Sequence, residues 1–317
     1  MFTRRFPLFS IFGFRISIDL SWFVLAALIV WSLATDLFPQ DVPDQSARTY
    51  YIMGMVAALG MFGSIVFHEL AHSLVARTYG IRIAGITLFI FGGVAELEDE
   101  PPTPKSEFVV AIAGPISSVI LGGALFLIAS LAETTSSPEV RSVLGYLMVI
   151  NIALAVFNLI PAFPLDGGRM LRAILWWRNG DLRKATRLAS LLGAALGIAL
   201  MGFGVYTIFQ GAQIGGLWQI LIGYFVFNAA GSARRQTEII ERLRGVNVRQ
   251  IMRTPPPGAP FQQAAVVTVA ADQSAAGALR QLLRGPQSEA LVLADGQPVG
   301  VIGVHDIFAF LKRRVAP

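Results

Sequence analysis

The sequence predicts an α-helical polytopic membrane protein with about six transmembrane helices, a short membrane-associated β-hairpin and a small cytoplasmic α/β domain at the C-terminal end. Three observations lead to this fold class. The 317 residues are 54% apolar and only 14% charged, whereas soluble domains carry about 25% charged residues. Apolar stretches long enough to cross lipid recur as far as residue 233 and then stop. Basic residues are concentrated in alternate loops, as in multispan proteins.

The predicted spans follow from length, because a transmembrane helix needs about 20 mostly apolar residues. Six stretches meet this requirement: residues 16–36, 51–77, 107–131, 142–162, 188–209 and 216–233. The first stretch follows Arg4 and Arg5 and would also fit a signal peptide cleaved near Ser32–Ala34. Because this stretch is long enough to span by itself, we expect it to be a helix of the protein.

The hairpin is predicted between the second and third spans. The apolar, β-rich run 86–91 and the shorter run 94–97 flank Gly92 and Gly93. Two short runs around a Gly-Gly pair are typical of a β-hairpin, with the glycines in the turn. The segment is too short to cross the membrane as a helix.

The orientation follows from the charges of the loops. Loop 163–187 carries five Arg and one Lys, whereas loops 37–50 and 132–141 carry one Arg each. Basic loops stay in the cytoplasm, and an even number of spans then places both termini there. We expect an integral protein of a bacterial or archaeal cell membrane. The net charge of +5 is explained by this topology, and no nucleic-acid partner is expected.

The membrane domain is predicted to cover residues 1–233, followed by a linker at 234–245 and a soluble α/β domain at 246–317. The prolines at 255–257 indicate a loop. Beyond them the pattern predicts strands at 266–270, 290–293 and 299–304, with a turn at Asp295-Gly296, and helices at 275–283 and 306–312.

A metal-binding motif lies in the second span. His68 and His72 are four residues apart, so on a helix both imidazoles face one side. Glu69 adjoins the first histidine and can address a water on the open side of a metal ion. Zinc takes His and carboxylate ligands and keeps a position for water. Ionisable groups within a lipid span are costly and indicate function.

The third ligand is predicted to be Asp166. The chain has no cysteine, and its third histidine, His305, lies in the soluble tail. Asp166 follows the fourth span, which crosses in the same direction as the second, so the carboxylate and the imidazoles are expected at similar depth. Pro161 and Pro164 break the helix before it, and irregular backbone at this depth must line a cavity or be buried. One Zn²⁺ per chain is predicted.

Asn158 is expected about two turns before Asp166 if the segment is helical, or nearer if the break bends back. Its amide is predicted either to stabilise a developing oxyanion or to pack between helices. Glu96, Glu98 and Glu107 are rival carboxylates for the metal, but none of them follows a spanning helix. A different class of function, a metal-binding transporter or an inactive scaffold, is also compatible with a metal site. The polar groups are concentrated at one depth, which favours hydrolysis.

The two motifs together resemble those of the site-2 protease family of intramembrane zinc metalloproteases. The similarity covers roughly residues 10–230, and it includes Gly92-Gly93, the segment 113–115 and the segment 158–168. The resemblance implies that His68, His72 and Asp166 bind zinc and that Glu69 is the general base. It also places Asn158 beside the active site and implies a transmembrane segment of another protein as the substrate.

The C-terminal region resembles a single CBS module, with segment 248–252 as its opening and segment 295–306 as its close. CBS repeats usually pair, so a single copy implies pairing between two chains, as a homodimer, or a degenerate first half. The module is expected to regulate the protein or to dimerise it. Gly303 occupies the place where nucleotide-binding relatives have Ser or Thr. Nucleotide binding is therefore doubtful.

Overall fold

The computed structural model describes residues 5–90, 92–97, 101–131, 136–254, 267–284 and 288–313. The chain divides into two compact units, Met1–Ala233 and Arg234–Pro317. The first unit contains the long apolar helices together with a small sheet, and the second contains a smaller sheet with two short helices.

The sheet of the first unit has four strands in the order β1-β2-β3-β4. Strands β1 (Arg5–Ile11) and β2 (Phe14–Asp19) form an antiparallel hairpin, and β2 runs parallel to β3 (Ile83–Phe89). Strand β4 (Gly92–Leu97) pairs antiparallel with β3 and forms one edge of the sheet. The predicted hairpin is thus one half of a larger sheet, and its other half is built from residues near the N-terminus.

The predicted position of the hairpin turn is wrong. Phe89 pairs with Gly92 and Leu88 pairs with Gly93, so both glycines lie in β4 and not in the turn. The reason is close packing: a Cβ added to Gly93 would lie 2.8 Å from Cγ of Glu69 and 3.0 Å from Cγ2 of Ile65. A glycine therefore allows the strand to approach the helix that carries His68 and His72.

Five helical segments in the described part of the chain are long and apolar enough to cross a membrane: Leu20–Asp41, Ala47–Thr78, Pro104–Leu131, Pro138–Asn158 and Leu182–Phe209. The first comprises α1 (Leu20–Ser32), a π-helical turn (Leu33–Leu37) and α2 (Phe38–Asp41). The others are α3, α4, α5 and α7, and α6 (Asp166–Asn179) lies between α5 and α7. Five of the six predicted spans therefore have a matching helix.

Two predicted boundaries in this unit are wrong. The first span does not begin at residue 16, because residues 14–19 form β2 and Asp19 caps α1 by accepting a hydrogen bond from the backbone N–H of Ser21 at 3.0 Å. The segment 163–187 is not only a loop, because it contains α6. The sixth predicted span, 216–233, lies within α8 (Gln213–Arg242), which is not among the five segments above.

Helices α7 and α8 pack with their backbones almost in contact. A Cβ added to Gly197 would lie 2.6 Å from the carbonyl oxygen of Gly223, and one added to Gly204 would lie 2.6 Å from that of Gly216. The two pairs run in opposite directions along the sequence, so the helices are antiparallel here. Small residues are typical of helix interfaces in membranes.

The second unit contains a three-stranded sheet in the order β5-β6-β7. Its strands are Thr268–Ala270, Glu289–Ala294 and Gln297–Gly303, and its helices are α9 (Ala275–Arg284) and α10 (Val304–Arg313). These elements coincide with the predicted ones within three residues. Asp295 and Gly296 both have positive φ, as their predicted turn requires. The predicted loop at 255–257 and residue 266 of the first strand lie outside the described residues.

Candidate metal centre

Two imidazoles project from α3 towards one point. His68 and His72 lie one helical turn apart, and their Nε2 atoms are 3.1 Å from each other. Both side chains are buried, with 3% and 5% of their surfaces exposed. The spacing of the motif on a helix accounts for this convergence.

The far side of each imidazole is held by α4. Nδ1 of His72 lies 2.6 Å from the carbonyl oxygen of Val110, and Nδ1 of His68 lies 2.9 Å from Oγ of Ser118. A carbonyl only accepts, so Nδ1 of His72 must carry the proton and its Nε2 is then free to act as a ligand. Such contacts on the second ring nitrogen orient metal-binding histidines in proteins.

Asp166 brings a carboxylate to the same point from α6. Its Oδ2 lies 3.1 Å from Nε2 of His68 and 3.1 Å from Nε2 of His72. The chain leaves α5 after Asn158 and passes the two prolines before α6 begins at Asp166 itself. A carboxylate in the first turn of a helix is favoured by the helix dipole. The break in the helix therefore places Asp166 next to residues almost a hundred positions earlier.

The donor set fits a zinc ion. His68, His72 and Asp166 form the one buried group of this kind in the described part of the chain. Their donor atoms are 3.1 Å apart, and tetrahedral ligands at about 2.0–2.1 Å from zinc are themselves about 3.3–3.4 Å apart. Two imidazoles and one carboxylate leave a fourth position for water, as in catalytic zinc sites. Gly114 faces the two Nε2 atoms and has no side chain to fill this space.

A cavity of about 230 Å³ opens beside the three donors. Glu69 and Asn158, both singled out by the sequence, line this cavity. The amide nitrogen of Asn158 donates a hydrogen bond to the carbonyl of Leu154 at 3.0 Å, which leaves its second N–H for another acceptor. The structure thus brings all five predicted residues to one site.

The sequence and the fold are similar to those of known proteins. A family model described as Peptidase family M50 matches residues 56–135 and 127–200. The protein sll0528 of Synechocystis sp. is 38% identical over 302 residues, which cover 94% of this chain and 76% of that protein. Zinc metalloprotease MJ0392 of Methanocaldococcus jannaschii is 32% identical over 300 residues, which cover 95% of this chain and 78% of that protein. This chain belongs to peptidase family M50.

A solved structure supports the same assignment. The site-2 protease from Methanocaldococcus jannaschii superposes with a TM-score of 0.53 and 31% sequence identity, covering 73% of this chain and 95% of that one. The predicted site-2 protease family and the predicted class of enzyme, an intramembrane zinc metalloprotease, are therefore confirmed. The CBS module is not covered by these findings and stays a prediction.

The structure separates Glu107, one of the rival carboxylates, from the imidazoles. Glu107 is fully buried in this M50 chain, and its carboxylate is paired with Arg172 and not with the imidazoles. Glu96 belongs to β4, and Glu98 lies outside the described residues. Asp166 is the carboxylate that meets both histidines.

Some residues of the M50 site were missed by the sequence reasoning. Val110 and Ser118 hold the two imidazoles, and Ser73, Arg169 and Phe225 line the cavity. Ser118 could have been suspected as a hydroxyl within an apolar span. The carbonyl of Val110 could not, because every residue has one and only the packing of α4 on α3 selects it.

Proposed function

We propose that this chain hydrolyses peptide bonds within or near the transmembrane segments of other membrane proteins. In this proposal His68, His72 and Asp166 hold one Zn²⁺, and Glu69 is the general base. This proposal rests on the convergence of three buried donor atoms on a cavity that Glu69 also lines. The site lies among long apolar helices, so its substrates are expected to come from the bilayer.

The chemistry is divided between the ion and the side chains. Zinc, when bound, would polarise the scissile carbonyl and lower the pKa of a water to about 7. Glu69 accepts a proton from the attacking water and passes it to the leaving amine. The second N–H of the Asn158 amide is available to the oxygen on which negative charge develops.

Strand β4 offers a place for an unwound substrate. A peptide bond inside a helix is protected by its i→i+4 hydrogen bonds, so the substrate must become extended before it is cut. Strand β4 forms an edge of the four-stranded sheet, and Gly93 in this strand packs directly against Glu69. We expect an extended segment to pair with this edge and so to pass the catalytic carboxylate.

The test of the catalytic roles is a comparison of cleavage with metal content in purified protein. Glu69→Gln should retain one zinc per chain and lose cleavage of a transmembrane substrate by about 10²–10⁴-fold. Glu238→Gln, at a partly buried ion pair in α8, is the matched control and should cleave normally. Undiminished cleavage by Glu69→Gln would exclude Glu69 as the base. Full zinc content in Asp166→Ala would remove Asp166 from the ligand set.

We also propose six spans with both termini in the cytoplasm. Helix α8 follows α7 in antiparallel contact from Gly216 to Ala230, which is about 21 Å along a helix axis. Because α7 is long and apolar enough to cross the membrane, this contact supports a sixth crossing by α8. Because basic loops stay in the cytoplasm, loop 163–187 is expected there. An even number of spans then supports a cytoplasmic location for both termini.

The absence of cysteine from the chain makes this topology simple to test by labelling. A cysteine introduced at Gln210 should react with a membrane-impermeant thiol reagent applied from outside the cell. Cysteines introduced at Asn179 and Arg244 should react only after the membrane is opened. Labelling of Arg244→Cys from outside would contradict a sixth crossing.

For the second unit we propose a CBS-type module that regulates the protease or joins two chains. Asp306 accepts hydrogen bonds from the backbone N–H of Gly303 at 2.8 Å and from Nε of Arg253 at 2.9 Å. Arg253 is also paired with Glu289. The carboxylate of Asp306, at the close of the predicted module, is thus already engaged within the chain, which agrees with weak or absent nucleotide binding. The mass of the purified protein in solution tests whether two chains associate. A measurement of ATP binding tests whether the module binds a nucleotide.

A further inference from the structure

A buried ion pair connects α4 with α6. Glu107 in α4 is fully buried and Arg172 in α6 is 8% exposed. Nε of Arg172 donates to Oε1 of Glu107 at 2.6 Å, and a terminal guanidinium nitrogen contacts the same oxygen. The guanidinium also lies over the ring of Phe163, 5.0 Å from its centroid. Arg172 thus joins three segments: α4, α6 and the loop that precedes α6.

Fold stability is a weak explanation for such a pair. The desolvation of two buried charges offsets most of their attraction, and apolar replacements of similar volume are often neutral or stabilising. Here Oε2 of Glu107 has no hydrogen-bond partner among the described residues. The cost of removing this carboxylate from water is therefore only partly offset by its contacts. A buried pair of this kind can instead select one arrangement of the elements that it joins.

The arrangement that the pair would select is the position of Asp166 relative to the two imidazoles. Helix α6 begins at Asp166, and no side chain caps this end of the helix. Arg172 follows six residues later, about 9 Å along the helix axis. A shift of α6 relative to α4 would therefore carry the carboxylate away from the imidazoles, and the contact of Arg172 with Glu107 opposes such a shift.

Helix α4 provides the common reference for all three ligands. Val110 holds His72 and Ser118 holds His68, while Glu107 holds the helix that carries Asp166. Positions 107, 110, 114 and 118 recur at helical spacing and share one face of α4. The face that orients the imidazoles thus also anchors the helix of the carboxylate.

We propose that Glu107 and Arg172 are positioning residues that set Asp166 at the distance from His68 and His72 that metal binding requires. Neither residue lines the cavity beside the donor atoms, and the pair acts through α6. This inference rests on the proposed role of Asp166 as a metal ligand.

The test replaces the pair by apolar residues of similar size, Glu107→Leu with Arg172→Met, because this double variant avoids an unpaired buried charge. Its thermal unfolding should match that of the wild type, while its zinc affinity, measured by competition with a chelator, should fall by about 10–100-fold. The visible spectrum of the Co²⁺-substituted protein should also change, since it reports the geometry of the ligands. Wild-type affinity together with a wild-type spectrum would overturn the proposal.

Three further variants make every outcome decisive. Asn151→Leu removes another fully buried polar side chain, one that contacts Ser64 and not α6, and should leave zinc affinity unchanged. An equal loss in this variant would show a general packing effect and refute positioning.

Asp166→Ala should lose the metal, and if it does not, the proposed site itself fails. If the double variant does not fold, Arg172→Lys decides, because Lys keeps the charge but not the planar fork. It too should bind zinc more weakly.

Discussion

Replacing Gly114 by alanine is a direct test of the metal centre. Gly114 lies in α4 opposite the two histidines. A Cβ at this position would lie 2.5 Å from Nε2 of His68 and 2.6 Å from Cε1 of His72. It would therefore stand where the two donor atoms face the cavity. We expect Gly114→Ala to displace the imidazoles while it leaves all three proposed ligand residues in the chain.

The size of the effect follows from the distances. Ordinary van der Waals contacts of a Cβ begin at 3.4 Å, so Nε2 of His68 must move by about 0.9 Å, and Nε2 of His72, which is nearer still, must move further. Zinc–ligand distances tolerate deviations of only about 0.2 Å. A misplacement of about 1 Å at a catalytic site costs on the order of 10²-fold in rate. We expect zinc to be lost or bound much more weakly, and cleavage to fall at least about 100-fold.

The assay is the zinc content of the purified protein, together with the rate of cleavage of a transmembrane substrate. Gly123→Ala is the matched control, because Gly123 lies in the same helix and an added Cβ would meet nothing within 4 Å. The control should retain both zinc and activity. If Gly114→Ala binds one zinc per chain with normal affinity, the placement of α4 against the two imidazoles is wrong.

Three other predictions follow. Asn158→Ala should lower the rate of cleavage by about 10²–10³-fold if the amide stabilises the oxyanion, while zinc content stays normal; an unchanged rate would leave only a packing role. Gly204→Ala should destabilise the α7–α8 contact by about 1–3 kcal/mol through overpacking against Gly216, whereas Gly202→Ala, with open space around its Cβ, should not; thermal unfolding compares them. Chelation should abolish cleavage and added Zn²⁺ should restore it, and cleavage that persists without metal, verified by metal analysis, would contradict the zinc site.

The sequence predicted the long helices well because a lipid span imposes a simple condition on length and polarity. Five predicted spans have a matching helix, and the elements of the second unit were found within three residues. The sheet was predicted less well. Strands β1 and β2 went unnoticed because β2 joins directly onto an apolar helix, and the glycines of β4 imitate a turn. Neither feature is distinguishable until the pairing partner in space is known.

By itself the sequence predicted the chemistry of the proposed centre, since the spacing of His68 and His72, the lack of cysteine and the carboxylate after a broken span indicate the donor set. Tertiary structure decided what those groups contact. It paired Glu107 with Arg172 rather than with a metal, and it placed Val110 and Ser118 behind the imidazoles. Helical periodicity fixes which residues share a face, whereas only the packing of one helix on another decides which faces meet.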